Sequence, residues 1–186
     1  SNGNTVIEVG TTRGQRLYLW RNGQLNLIAG EGASIRDPLG NELGSFYGRN
    51  AVNNRGQVAA FGRYGNQDAL LLFPEGGGQP RIVMTPNATF NWPDIVALDE
   101  NGRVAFASGF EPSHRNPVYL WDNGQTRKIL DPTQAGPDNR PFRGHGYLQA
   151  AGDKFYLLLD YDGLAQFSEF DGTRWTKRIA TGDRLS

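Results

Sequence analysis

Only a few residues of this chain have the types and spacing that chemistry requires. Asp160-Tyr161-Asp162-Gly163 places two carboxylates at the spacing of a calcium-loop fragment, so Asp160 and Asp162 are the candidate metal ligands. The further oxygen ligands at regular offsets are missing, and the same four residues also read as a plain hairpin turn. His114 and His145 are the two histidines. Neither has a second ligand at i+2 or i+4, so no metal site is assigned to them. Glycoside hydrolysis needs two carboxyl groups about 5–10 Å apart across a sugar. Asp94, Glu111 and Asp160 are the acids that one shared face would bring together for it. Binding asks for less: aromatic rings to stack on, with Asp, Arg or His to bond hydroxyls. Phe46, Trp92, Asp94, Arg143, His145, Tyr64, His114 and Arg115 are the candidates for that role, with Arg63 beside them. Phe46 and Trp92 have a competing use as wedges between packed sheets.

Composition removes other chemistries. The 186 residues include no cysteine, which excludes disulfides, thiol catalysis and cysteine zinc sites. GEGAS (30–34) and EGGGQ (75–79) are glycine-rich, but neither opens a helix and neither offers a helix terminus to phosphate. No cofactor is expected. Lys plus Arg and Asp plus Glu number 19 each, so the chain has no electrostatic footprint for nucleic acid or an anionic membrane. No apolar run approaches the ~20 residues that span a bilayer, so membrane insertion is not expected.

The elements that must position these residues are visible in a repeated phrase. Residues 18–28 read YLWRNGQLNLI and residues 119–129 read YLWDNGQTRKI, with seven of eleven positions identical. Weaker copies, LLLFPEGGGQPRIV (70–83) and FSEFDGTRWTKRI (167–179), fall at similar intervals. A period of roughly 50 residues built from short strands marks a radial or stacked β-repeat. Aligned, the copies give a four-strand unit, A to D from inner to outer. Strand B is QVAAFGR (57–63), RVAFASG (103–109) and FYLLLD (155–160), and NTVIEVG (4–10) is its first copy. Strand C is RLYLW (16–20), ALLLF (69–73), PVYLW (117–121) and AQFSEF (165–170). Its terminal aromatics Trp20, Phe73, Trp121 and Phe170 recur 53, 48 and 49 residues apart. Strand D is QLNLIA (24–29), PRIVM (80–84), TRKIL (126–130) and WTKRIA (175–180). Strand A is RNAVN (49–53), IVALD (95–99) and GYLQA (146–150), and the first unit lacks it. Asn-Gly and Asp-Gly pairs in the C–D connections reach positive φ cheaply and suit tight hairpins.

The phrases NNRGQVAAF (53–61) and DENGRVAFA (99–107), followed by YLWDNG (119–124), resemble a group of bacterial repeat proteins whose blades carry Asn/Asp-x-x-Gly-x-Val-Ala-Phe and then Leu-Trp-x-x-Gly. The resemblance covers about residues 15–182. It implies an extracytoplasmic (periplasmic or secreted) β-propeller of undefined ligand, and it brings no catalytic residues, because these phrases are strand and turn elements. Two other propeller signatures match in part. Gly144-His145 followed by Phe170-Asp171 is similar to the WD-repeat pattern with Phe for Trp. SEFDGTRW (168–175) is similar to the sialidase Asp-box with Phe170 where the Asp should stand.

The expected fold is therefore all-β: a propeller-type array of four-stranded antiparallel blades, about four, the first lacking its inner strand. It is read as one domain or segment, 1–186, with blades near 4–30, 46–85, 92–131 and 144–181. The D–A crossovers are the longer connections and share one end of the blades with the variable B–C loops. Loops on a rigid scaffold commonly carry binding, so that face is the expected site. The function read from this is a non-catalytic binding or scaffold module contacting protein or glycan. The competing reading is a glycoside hydrolase or lyase on the same fold. A homodimer or the remainder of a larger propeller would complete the ring, and imperfect closure of the four blades on themselves is the third arrangement.

Overall fold

Turn chemistry divides the chain into hairpins. Asn22-Gly23 and Asn123-Gly124 both adopt positive φ at their two central positions (52° and 77°, 47° and 90°), the geometry of a type I′ turn, whose twist matches that of the flanking strands. The A–B turns use another device. Asn53 Oδ1 accepts from the Gln57 amide at 3.0 Å, and Asp99 Oδ1 accepts from the Asn101 and Arg103 amides at 3.0 and 2.7 Å. Each side chain thereby satisfies backbone donors that the tight turn would leave open.

The computed structural model describes residues 3–87, 92–108, 116–131, 134, 143–161 and 164–183, and of Asp94 the backbone only. Among the described residues, fifteen strands form four antiparallel sheets. The first sheet holds β1 (Thr5–Thr11), β2 (Gly14–Arg21) and β3 (Gln24–Ala29). The second holds β4 (Phe46–Val52), β5 (Val58–Tyr64), β6 (Gln67–Phe73) and β7 (Arg81–Met84). The third holds β8 (Pro93–Leu98), β9 (Val104–Ser108), β10 (Val118–Asp122) and β11 (Gln125–Leu130). The fourth holds β12 (Gly144–Ala151), β13 (Lys154–Tyr161), β14 (Leu164–Phe170) and β15 (Trp175–Ala180). Strand order follows chain order in every sheet, so all pairings are hairpins. Among the described residues the first sheet has three strands, the counterparts of B, C and D.

The outer hairpins repeat one irregularity. Between strands C and D the register shifts at Leu17/Tyr18, Leu70/Leu71, Val118/Tyr119 and Phe167/Ser168, the same position in each sheet. A bulge also interrupts each A–B pairing, and the A strands begin two or three residues before the expected RNAVN, IVALD and GYLQA segments. The polar or glycine-containing residues before the bulge have no apolar period to announce them, yet the backbone ladder runs through them.

The chain separates into two compact units, Ser1–Phe90 and Asn91–Ser186. In the first unit, Leu17, Leu19, Ile28 and Ala29 of the first sheet pack with Val58, Ala60, Ala69, Leu71 and Phe73 of the second. In the second unit, Ala105, Ala107, Val118 and Leu120 pack with Phe155, Leu157, Leu159 and Phe170. Burial differs between sheets in a way the strands announce. β5 from Val58 to Gly62 and all of β9 are buried on both faces, matching their continuous apolar runs. β13 alternates buried and half-buried residues from Lys154 to Leu159, the pattern of a sheet covered on one side.

Candidate functional site

The crossover from β3 to β4 builds the best-described part of the loop face. Residues 30–45 leave the outer edge of the first sheet and return at the inner edge of the second. Two backbone bonds pin the end of this crossover: the Gln15 amide donates to Gly44 O at 2.7 Å, and the Arg63 amide donates to Ser45 O at 2.8 Å. One bond goes to each adjoining B–C hairpin, so the crossover is clamped from both sides. Glycine permits the approach. A Cβ at Gly14 would lie 2.5 Å from Gly44 O, and one at Gly30, where φ is 110°, would lie 2.5 Å from Gln15 O.

Charged groups tie down the middle of the crossover. Glu31 accepts from Arg13 Nη1 at 3.1 Å and Arg16 Nη2 at 2.9 Å. Asp37 Oδ1 accepts from the Leu39 and Asn41 amides, both at 2.8 Å. Burial works to raise the Asp37 pKa, but hydrogen bonds from Asn41, Leu39 and Gly65 outweigh it and hold the carboxylate below its ordinary range. The Gly65 contact joins the crossover tip to the β5–β6 hairpin.

At the rim, Asp68 accepts from the Tyr47 hydroxyl at 2.9 Å and lies 3.5 Å from Arg63 Nη1. Burial, then the bond to Asp68, raises the Tyr47 pKa, so the phenol remains a protonated donor. Tyr47 leans on Phe61 at 5.4 Å between ring centroids. Leu39 is 58% exposed and Tyr47 37% exposed, so this rim presents apolar surface beside a fixed Arg–Asp pair. Of these residues, only Arg63 and its neighbour Tyr64 stand out in the sequence. Asp37-Pro38-Leu39-Gly40 has the residue types of a turn, but nothing local says that its tip meets the next hairpin.

The other candidates divide. Phe46 is buried, and its ring packs over Gly62, where an added Cβ would come within 2.9 Å of Cδ1. His145 is 3% exposed, with Nε2 2.9 Å from Asn116 O. Register places Phe46, Pro93 and His145 opposite Gly62, Ser108 and Leu159. Phe46, Pro93 and His145 are therefore equivalent on entering strand A, and Trp92 and Arg143 precede that position by one and two residues, because the ladder sets the alignment. Tyr64 is half-buried against the core of the first unit. Trp92 and Arg143 are exposed, and the Arg143 amide donates to Asp160 O at 2.7 Å, joining a crossover end to β13. His114, Arg115, Glu111 and Asp162 lie outside the described residues, as does the Asp94 side chain. Among the described residues, no group of three or more His, Asp or Glu side chains is placed to hold a metal ion.

A shallow concavity of about 410 Å³ lies at the opposite end of the third sheet, lined by Leu120, Asp122, Asn123, Gln125, Thr126 and Arg127. Arg127 donates to Gly172 O and sits 5.5 Å above the Phe170 ring. That arginine links the third and fourth sheets.

Solved structures with this arrangement are propeller-type proteins, and the chain has that fold: an all-β, propeller-type array of four antiparallel sheets, the first with three strands. It is similar to the structure of TolB from Acinetobacter baumannii, at 11% identity and TM-score 0.58, over 94% of this chain and 40% of that one. It is similar to a nidogen/laminin complex structure at 12% identity and TM-score 0.53, over 98% of this chain and 64% of that one. It is also similar to YCF48 bound to D1 peptide, at 13% identity and TM-score 0.50, over 95% of this chain and 50% of that one. The chain thus spans less than two thirds of each of these proteins. No family model matches the sequence, and no curated protein matches it. The likeness is one of fold.

Proposed function

We propose that the chain is a non-catalytic binding module that contacts a protein partner through its D–A/B–C loop face. The observation that carries this reading is the clamped crossover. Its backbone is bonded to both neighbouring hairpins, and its rim presents Leu39 and Tyr47 beside Arg63 and Asp68. A rigid loop with exposed apolar residues and a fixed polar rim is how a protein interface is built. Two of the fold neighbours were solved with protein or peptide partners, a nidogen/laminin complex and YCF48 with D1 peptide, which supports protein contact as a use of this fold. Glycan contact is the second ligand class, through exposed Trp92 and Tyr147.

The competing reading, a glycoside hydrolase or lyase, requires a general acid with a raised pKa, and of its candidate acids Glu111 and the Asp94 side chain lie outside the described residues. The reading includes one domain over 1–186 and an extracytoplasmic location, the latter resting on the repeat phrases.

The test uses immobilised protein on extracts of its source cells and a glycan array in parallel. The double variant L39D/R63E alters the loop face, and Q24R alters the opposite end of the first sheet. The reading expects a retained set of proteins that L39D/R63E loses and Q24R keeps. Equal retention by both variants refutes it. Loss confined to the glycan array moves the ligand to sugars.

A further inference from the structure

The outward face of the fourth sheet departs from the repeat at two aligned positions. The residue before the terminal aromatic of strand C is Leu19, Leu72 and Leu120 in the first three sheets, and Glu169 in the fourth. The residue skipped by the C–D bulge is Ile28, Val83 and Ile129 in the first three, and Arg178 in the fourth. Leu19 and Ile28 lie in the core shared with the second sheet. Leu120 lies in the core shared with the fourth, with Ile129 packed against it. Within each unit these are the positions with which the leading sheet grips its successor.

In the fourth sheet they form an ion cluster instead. Arg178 Nε donates to Glu169 Oε2 at 3.0 Å, and Arg178 Nη2 donates to Oε1 at 2.6 Å. Lys154 Nζ donates to Oε1 at 2.8 Å. The three residues come from β13, β14 and β15, so the cluster crosses the sheet. Bonds from Arg178, then from Lys154, hold the Glu169 pKa down to about 2, so the cluster stays charged through the neutral range. Around it the face is apolar: Phe167 and Ile179 are exposed, and Tyr156 stacks on Phe167 at 5.5 Å.

The opposite kind of face is exposed on the first sheet. Trp20 is 43% exposed, where its counterparts Phe73, Trp121 and Phe170 are 0%, 3% and 1%. Ile7, Val9 and Leu25 surround it on the same side of the sheet. Within each unit, a leucine-bearing face packs on the aromatic-bearing face of the next sheet. A leucine-bearing fourth sheet would therefore match the Trp20 face of a second copy. That contact is heterologous and need not close, so it builds chains of molecules.

We infer that the Lys154–Glu169–Arg178 cluster is a cap that prevents a second copy of this chain from docking its Trp20 face on β12–β15. Glu169 is already buried beneath its partners, so docking there would strip water from the two cations, Lys154 and Arg178, whose side chains are 39% and 50% exposed, a desolvation that burial of an ion pair must offset.

The experiment restores the repeat residues with the double variant E169L/R178I and follows mean mass by sedimentation across a concentration series. The expected result is self-association about tenfold or more tighter than the parent's, abolished by adding W20E. A cooperatively folded E169L/R178I variant with the parent's mass overturns the inference, and so does association that ignores W20E. If the double variant does not fold, hydroxyl-radical footprinting of the parent decides. Labelling of Tyr156 and Phe167 that is independent of concentration upholds the cap, and protection that grows with concentration overturns it.

Discussion

Replacing Gly62 with alanine tests whether the clamped crossover depends on close backbone approach. Gly62 lies in β5 opposite Phe46, and its φ is not in the left-handed region, so any cost is steric. The added Cβ would sit 2.3 Å from Ser45 O and 2.9 Å from Phe46 Cδ1. Ser45 O is backbone, and it accepts the Arg63 amide at 2.8 Å, so it cannot retreat without loosening that bond. Overpacking of this kind costs about 1–3 kcal/mol, and the weakened bond adds about 0.5–1.5 kcal/mol. The loss of chain freedom in the unfolded state returns about 0.4–1 kcal/mol. A net loss of about 2 kcal/mol lowers the melting temperature of a chain this size by roughly 4–8 °C. Gly10→Ala is the control, because its Cβ meets nothing within 4 Å. Differential scanning calorimetry measures both. If G62A melts together with G10A, the close approach does not hold the crossover and the argument fails. G62A should also weaken any contact made by Tyr47, since that residue follows the displaced Ser45-Phe46 segment.

Asp99→Ala should cost about 3–5 kcal/mol in urea titrations, because it strips a buried carboxylate from the turn amides and from Arg103 Nε at 2.7 Å. Asp99→Asn, which keeps an acceptor, should cost less, and equal losses would remove the charge from the explanation. Asn22→Ala and Asn123→Ala should each cost about 1 kcal/mol in thermal melts, because alanine tolerates positive φ poorly. A neutral result at both would mean that the turns relax to another type. Glu169 has a folded pKa of about 2 against an ordinary 4.5, so its contribution to stability is complete above about pH 4.5 and is lost as pH falls towards 2. Glu169→Gln should be less stable at neutral pH and show a flatter decline over that window. Parallel parent and variant curves would refute the assignment.

Much of the fold was legible because it is locally encoded. The strand count follows from turn chemistry recurring between short apolar runs. Asn22-Gly23 and Asn123-Gly124 mark hairpins by themselves, and Trp20, Phe73, Trp121 and Phe170 mark one position four times. The candidate site was less legible. Arg63 and Tyr64 stand in a hairpin that sequence points to, but Tyr47, Asp68 and Leu39 join them only because the crossover folds onto that hairpin. Phe46 and His145 carry the chemistry of a ligand site in their residue types, yet both are buried.

The sequence by itself determined the strands of the four repeats and their hairpin order, since these rest on turn propensity and short-range pattern. Only the tertiary structure decided register. Bulges move the alignment by one or two residues, and a shift of one residue sends a side chain to the other face. That is why Phe46 aligns with Pro93 and His145 rather than with Trp92 and Arg143. It is also why Glu169 and Arg178, unremarkable in the chain, occupy the places of a leucine and of an isoleucine or valine in the other sheets. Residues distant in sequence become equivalent only when the backbone ladder pairs them.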